Sequence, residues 1–510
     1  MKQQINKLIK KLEKSIVSNT VVTEFGSSYI DPVDKKEISA HYAQSHAAAG
    51  MIISGMQTSD EALYHKGISL LDKLLLTYHE DCALPAYHFD FNHFALCLIY
   101  DAIKDREKDR AEKIMQTVLL AGDSNHFTTN WLPMRMYVAM HRYEWSKDSK
   151  YLEQYNSLLE KIKQVCYKDG LIDDRTPKGL SFNLQYDIAT VAVLLFLKQK
   201  YGLDMDCGLP VGGLLKVIAP DGDINYLGRG CNQVFAWGPW IYILTALDDE
   251  SVLSDAINYL GDRIHYVIDN HNMMLNDKAG VEKHLWWDYH YSSVYTAHLY
   301  LWLILAQYND CPKIQPVYNA ECDSGLQIHK NDIVFVAEFG GRKEYLSEKG
   351  PVIAALWHKK YGMIFKGSFG PWQGAFGRKY SNQTVIMHNF IGILHIKQPF
   401  DLTTNRLVKK LMPQLTPKCS FQAQPVFAPI YIDKDSEGIE ITWELPKEME
   451  GVFQLPVFSD CNLKTEDIMV FCDGTKIALQ NIGQIYNQYG SCYLYQSKII
   501  RGRKWCLKLN

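Results

Sequence analysis

Five stretches of this chain place hydrogen-bonding and aromatic side chains beside apolar helical runs. They are Tyr87 to Phe94 (YHFDFNHF), Asn125 to Trp131 (NHFTTNW) with Arg135 just beyond, Asn183 to Asp187 (NLQYD), Asp221 to Gly238 (DGDINYLGRGCNQVFAWG) and Lys283 to Tyr291 (KHLWWDYHY). Each lies at the start of an expected helix or in the loop leading to one, and helix ends that converge build a pocket. The residue types suit β-elimination on a uronic acid. That reaction removes the weakly acidic proton beside the carboxylate, so the carboxylate must be neutralised to stabilise the enolate-like intermediate. It also needs a base at that carbon and an acid at the leaving oxygen, roles that Tyr and His fill. Tyr186, Asn130, His93, His290 and Tyr226 form the expected catalytic set. Gln185, Arg135, Arg229, Gln233, Trp237, Trp286 and Trp287 form the expected substrate-binding set. This chemistry requires no metal and no cofactor.

Each residue also has a plainer reading. Tyr186 can be a helix-start tyrosine beside Asp187, and Asn130 a helix N-cap, with Pro133 in the first turn where its missing N–H costs nothing. His93 sits among apolar neighbours as an interior histidine would. Gly228 and Gly230 can simply supply a turn, and no strand with GxGxxG accompanies them. Trp286 and Trp287 can pack at a domain interface. The functional reading rests on the co-occurrence of these groups at helix starts.

The elements that must position them are helical at first. Apolar residues recur at three- and four-residue spacing over Gln3 to Val17, Ser39 to Met56, Ser59 to Tyr78, Asp90 to Ile103, Arg110 to Leu120, Asn130 to Trp145, Lys150 to Cys166, Leu184 to Tyr201, Gln233 to Ala246, Val252 to Asp269 and Tyr289 to Tyr308. Helices of similar length joined by short connections imply pairs curling into a ring or a solenoid. Beyond Pro312 the period changes to short Val, Ile, Phe and Tyr-rich segments, including Asp332 to Glu338, Val352 to His358, Gly362 to Gly367, Gln383 to Leu394, Gly438 to Trp443, Ile468 to Phe471, Ser491 to Ser497 and Lys504 to Leu509. These read as antiparallel strands of a sandwich or stacked sheets. A chain of 510 residues exceeds a single core. The expected division is a helical domain over 1–315 carrying most of the site and an antiparallel β domain over 316–510.

Composition excludes several classes. Net charge is -3 with a pI near 6.6, so no basic field attracts nucleic acid, and an acidic substrate must be met by local positive charge. The 12 cysteines show no CxxC pair, which argues against a zinc site and a dense disulfide framework. The 31 Tyr and 11 Trp suit sugar stacking, although cores and interfaces account for most such rings. The N-terminal MKQQINKLIKKLEKSIV lacks the apolar core of a signal peptide, and the apolar run Val191 to Leu197 falls short of the ~20 residues of a membrane span. A cytoplasmic location follows for the chain as written, or a secreted or periplasmic one if a signal has been removed.

A helical N-terminal domain, an all-β C-terminal domain, and Asn130 preceding Gln185-Tyr186 resemble the heparinase II/III-like and related α/α-toroid polysaccharide lyases. The resemblance covers the architecture of most of the chain. It implies an incomplete helical barrel followed by a β-sandwich, an acidic polysaccharide or oligosaccharide as partner, an amide or His that neutralises the uronate, and a helix-start Tyr as base, acid or both. The family pattern has His after the Tyr, whereas this chain has Asp187. Two other readings stand beside it. An α/α-barrel glycoside hydrolase acting on uronyl oligosaccharides needs two carboxylates across the scissile bond, drawn from Asp90, Asp187, Asp223 and Asp288. A non-catalytic glycan-binding protein needs neither.

Overall fold

Two kinds of helix alternate from the N-terminus to Gln307, and their sequences account for the difference. A computed structural model describes residues 1–32, 35–38, 41–80, 89–122, 128–174, 183–227, 232–269, 272–273, 292–310, 312–339, 352–367, 430–433, 438–451, 453–487 and 489–509. Helices α1 (Lys2–Ser18), α3 (Glu61–Glu80), α5 (Lys108–Leu120), α7 (Lys150–Lys163) and α11 (Glu250–Val267) carry one apolar stripe each; α7, for example, buries Tyr155, Leu158, Leu159 and Ile162 and leaves its lysines in water. Helices α2 (Ala43–Thr58), α4 (Phe89–Ile103), α6 (Leu132–Ser146), α8 (Leu184–Tyr201), α10 (Trp237–Thr245) and α12 (Ser292–Gln307) are apolar nearly all round and lie inside.

The inner helices touch in a cycle: α12 on α2, then α4, α6, α8 and α10, which returns to α12. Each carries an outer partner, α1 on α12, α3 on α2, α5 on α4, α7 on α6, the short α9 (Gly208–Lys216) on α8 and α11 on α10. Where the resemblance implied an incomplete barrel, the cycle of contacts among the described residues is closed. Two glycines allow the closure. A Cβ on Gly50 of α2 would lie 2.5 Å from the Tyr300 ring of α12, and one on Gly238 of α10 would lie 2.7 Å from Trp302. Asp31 then fixes where α12 begins, its Oδ2 accepting from both the backbone N and the Oγ of Ser293 at 2.7 Å.

Differences from the periodic reading have local causes. Helix α10 starts later than expected because a 3-10 turn, Val234–Ala236, precedes it, and another, Thr129–Trp131, precedes α6. Helix α9 is not legible because its GLPVGG composition reads as a loop. Nor does the periodic reading contain the antiparallel pairs β1 (Thr20–Thr23) with β2 (Gly26–Tyr29) and β3 (Ile268–Asp269) with β4 (Asn272–Met273).

Every pairing among the described strands of the C-terminal part is antiparallel. Strands β5 (Leu326–Lys330), β6 (Val334–Phe339), β7 (Val352–His358) and β8 (Gly362–Lys366) form one sheet in sequence order. A second sheet has the order β13 (Thr475–Ile477), β12 (Ile468–Cys472), β16 (Ile500–Leu509), β10 (Gly438–Gly451) and β9 (Ile430–Asp433). A third joins β11 (Gln454–Phe458), β15 (Gly490–Ser497) and β14 (Leu479–Asn487). Alternation sets their faces: Ile439, Ile441 and Trp443 are buried, with Trp505 directly opposite Trp443, while Glu440 pairs across the ladder with Lys508 at 2.6 Å. The expected strand Gln383 to Leu394 lies outside the described residues.

Candidate functional site

Ring contacts show that the inner helices run the same way. Tyr42, at the start of α2, stacks on Phe91 of α4 with centroids 4.3 Å apart. Phe91 meets Phe235 at 6.1 Å, and Phe235, in the turn before α10, stacks on His298 of α12 at 4.1 Å and 5°. Phe235 also meets Tyr295 at 5.7 Å and the edge of Tyr186 at 6.1 Å. One layer further along each helix, Phe94, Tyr137, Phe196, Tyr242 and Trp302 form a second set of rings. Early residues therefore meet early residues, and the N-termini of the inner helices share one end of the ring, the mouth. Aligned peptide dipoles give each N-terminus a partial positive charge, so this end favours an anion. A cavity of about 330 Å³ lies at the opposite end, lined by residues including Phe196, Lys200, Tyr242 and Tyr308, and touches none of the expected site residues.

Helix α8 brings Tyr186 to the mouth. Asn183 Oδ1 accepts from the Gln185 N–H at 3.1 Å, and the Leu184 N–H donates to the Leu227 carbonyl at 3.2 Å, which together set the first turn. That turn touches both the Thr129–Trp131 turn and the Val234–Ala236 turn. Tyr186 is half-buried there, whereas Gln185 beside it is buried with no hydrogen bond to its Oε1.

Asn130 is present at the same place but its amide is engaged. Its Nδ2 donates to Asp174 Oδ1 at 2.9 Å and to Thr128 Oγ1 at 2.8 Å, and its backbone N–H also donates to Asp174. Asp174, which no motif singled out, thus holds the Asn130 turn in place. Gln233 lies at the turn before α10, its carbonyl accepting from Asn225 Nδ2 at 3.2 Å.

Four of the expected site residues take other roles. Arg135 is buried in a bidentate pair with Asp90, 2.8 Å for each bond, so its guanidinium ties α6 to α4 instead of reaching a substrate. Tyr226 is fully buried; its hydroxyl donates to the Val217 carbonyl at 2.6 Å, and burial pushes its pKa well above the usual tyrosine value. That hydroxyl is spent on the Val217 carbonyl inside the core. Trp237 is buried and stacks on Tyr259 at 4.6 Å, which uses its face for packing against α11. His93 is buried against Phe89 at 3.7 Å, and burial, with the charge of Arg142, holds its imidazole well below the usual pKa, so it stays neutral in the wall. His290, Arg229, Trp286 and Trp287 lie outside the described residues.

Three of the four carboxylates weighed for a hydrolase lie among the described residues. Asp90 is tied to Arg135. Burial holds the Asp187 carboxyl well above the usual range, with its Oδ2 accepting from the Ile172 N–H at 3.1 Å. Asp223 is buried against the Lys366 ammonium at 2.9 Å. Asp288 lies outside the described residues.

Beneath the mouth rings sits a pair the sequence reading missed, His46 of α2 and His298 of α12, with centroids 5.4 Å apart. Both are buried; burial lowers His46 to about 3, and burial followed by the neighbouring His46 holds His298 well below its usual value. Helical spacing offered the only signal, since His298 falls on the stripe Val294, His298, Trp302. A stability prediction follows. An unfolded chain takes up protons on both imidazoles near pH ~6.5, whereas the folded chain does not. Their contribution is therefore complete above that pH and is lost as pH falls from about 6.5 toward 3. Each contributes a slope of up to about 1.4 kcal/mol per pH unit. Urea midpoints measured from pH 7 to pH 4.5 are expected to fall less steeply for His298→Phe than for the wild type; parallel curves would remove the pair from the acid response.

No protein-family model and no curated protein matches this chain. Solved structures of similar shape include an α-1,6-mannanase from Salegentibacter sp., 12% identical, covering 59% of this chain and 98% of that one with a TM-score of 0.40. A glycosyl hydrolase family 88 protein from Bacteroides vulgatus is 13% identical over 61% of this chain and 100% of that one, TM-score 0.41. A polysaccharide lyase is 12% identical over 53% of this chain and 91% of that one, TM-score 0.37.

Proposed function

We propose that this chain is a carbohydrate-active enzyme on an α/α-toroid scaffold, and that it cleaves a uronic-acid-containing glycan by β-elimination. The observation that carries the reading is Tyr186, a half-buried phenol on the first turn of an inner helix, set between the Asn130 turn and the Phe235 turn at the end where the inner N-termini converge. Tyr186, ionised to the phenolate, takes the proton from the carbon beside the uronate carboxylate and so becomes the phenol. The electron pair left behind forms the carbon–carbon double bond as the bond to the leaving oxygen breaks, and that oxygen receives a proton from the same phenol or from His290. Negative charge developing on the carboxylate is met by the helix N-termini, with Arg229 as the proposed cation. Asn130, with its amide given to Asp174, supports this site by holding its turn rather than by donating to the uronate. Asp90 and Asp223 are each paired with a buried cation, which takes two of the four weighed carboxylates from a hydrolase, whose reaction needs two free to face the bond.

The test is a panel of uronic-acid polysaccharides and oligosaccharides followed by ultraviolet absorbance. Elimination leaves a double bond conjugated to the acid, so absorbance rises as chains are cut. Release of reducing ends with no rise in absorbance would assign hydrolysis instead.

A further inference from the structure

Two carboxylates at alternate positions, Asp221 and Asp223, hold a cation that the chain itself supplies. Lys366, at the end of β8, is buried, and its Nζ lies 2.5 Å from Asp221 Oδ2, 2.9 Å from Asp223 Oδ2 and 3.0 Å from the Tyr259 hydroxyl. The ammonium also sits over the ring of Tyr489 at 4.5 Å. Tyr489, between β14 and β15, donates its hydroxyl to the Asn225 carbonyl at 2.8 Å. Burial alone would discharge this lysine, yet Asp223, Tyr259 and Asp221 hold its pKa well above the usual value. The β domain thus grips a loop of the helical domain through one buried charge and one hydroxyl.

That loop is bonded to both helix starts at the mouth. Asn225 Nδ2 donates to the Gln233 carbonyl and the Asn232 N–H donates back to the Asn225 carbonyl at 2.8 Å, which sets the turn bearing Phe235. Two residues beyond Asn225, the Leu227 carbonyl accepts from the Leu184 N–H, the bond that begins the first turn of α8. An unbroken chain of bonds therefore runs from Lys366 and Tyr489 through Asp223 and Asn225 to Tyr186 and Phe235.

We infer that Lys366 and Tyr489 are positioning residues, through which the β domain holds the first turns of α8 and α10 in the geometry the mouth needs. The consequence for turnover rests on the lyase reading above; the positioning itself does not. A displacement of about 1 Å at a reacting group is enough to cost roughly 100-fold in rate.

Hydrogen exchange of backbone amides separates the two. In Lys366→Met, which keeps the stem as far as Cε but removes the ammonium and strands the carboxylates of Asp221 and Asp223, exchange at Leu184 and Asn232 is expected to quicken by about tenfold or more, while amides in the middle of α4 keep their protection. Tyr489→Phe, which removes a single hydroxyl, is the milder variant should Lys366→Met fail to fold, and is expected to change the same amides in the same direction. With a glycan the wild type cleaves, kcat falls and KM stays within about threefold, because the loss is in alignment of the reacting groups. Unchanged exchange at Leu184 and Asn232 in a folded variant would overturn the inference. Quickened exchange in a protein that cleaves no uronate glycan supports the positioning and rejects the lyase reading alone.

Discussion

Tyr186→Phe is expected to leave a folded protein that binds a uronate glycan but turns it over about 100- to 10,000-fold more slowly, the range that a positioned proton-transfer group contributes. The ring survives the substitution, so its edge contact with Phe235 at 6.1 Å survives too. Only the hydroxyl is lost, from a side chain that is half-buried at a helix start. The substitution opens no cavity, so the stability change should stay within about 1.5 kcal/mol, the most that one ordinary hydrogen bond contributes net. A fall in kcat with KM nearly unchanged marks an interaction used in the transition state rather than in ground-state binding. Kinetics by ultraviolet absorbance alongside a thermal melt decide the matter. Wild-type turnover in the folded variant would exclude Tyr186 as the base, and binding that is the same in both proteins with turnover in neither would leave a glycan-binding protein.

Arg135→Met carries the largest expected effect on stability. It leaves Asp90 buried without its cation, and breaking a buried pair in this way costs about 3–5 kcal/mol. The pair bridges two neighbouring inner helices, so the loss falls on the ring itself. The double substitution Arg135→Met with Asp90→Leu removes both charges and is expected to recover most of the loss, since replacing a buried pair by apolar groups is often neutral. Urea denaturation of the wild type, the two single variants and the double variant measures the coupling. A stable Arg135→Met protein with weakened glycan binding would instead return Arg135 to the substrate-binding set.

Much of the helical half was legible because its sequence states its burial. The body of the run Leu184 to Tyr201, from Ile188 to Leu197, is apolar but for Thr190, which suits an inner helix, and the bounds of the run match the periodic reading. Helix α9 escaped because Gly212 and Gly213 serve close packing, not helix propensity; a Cβ on Gly212 would lie 2.0 Å from the Val317 carbonyl. Strands β7 and β12 were visible from alternation, whereas β11 and β14, with Pro456 and Gly483 inside them, were not.

The site divides along the same line. Clustering of polar groups at expected helix starts led to Tyr186, Gln185, Asn130 and Gln233, which lie on the first turn of α8 and at the 3-10 turns before α6 and α10. What each group has left to offer is a tertiary property. Arg135 and Tyr226 look like an anion binder and a proton carrier until Asp90 and the Val217 carbonyl are brought to them by segments 45 and 9 residues away. Asp174 captures Asn130 across 44 residues, and Lys366 captures Asp221 across 145. Sequence alone determined which residues are apolar, which are polar and, to within a turn, where most of the helices begin, since those follow from local chemistry and spacing. Which polar groups remain open to a substrate was decided only by the fold, since a buried donor or charge is bound to whatever partner the long-range packing delivers.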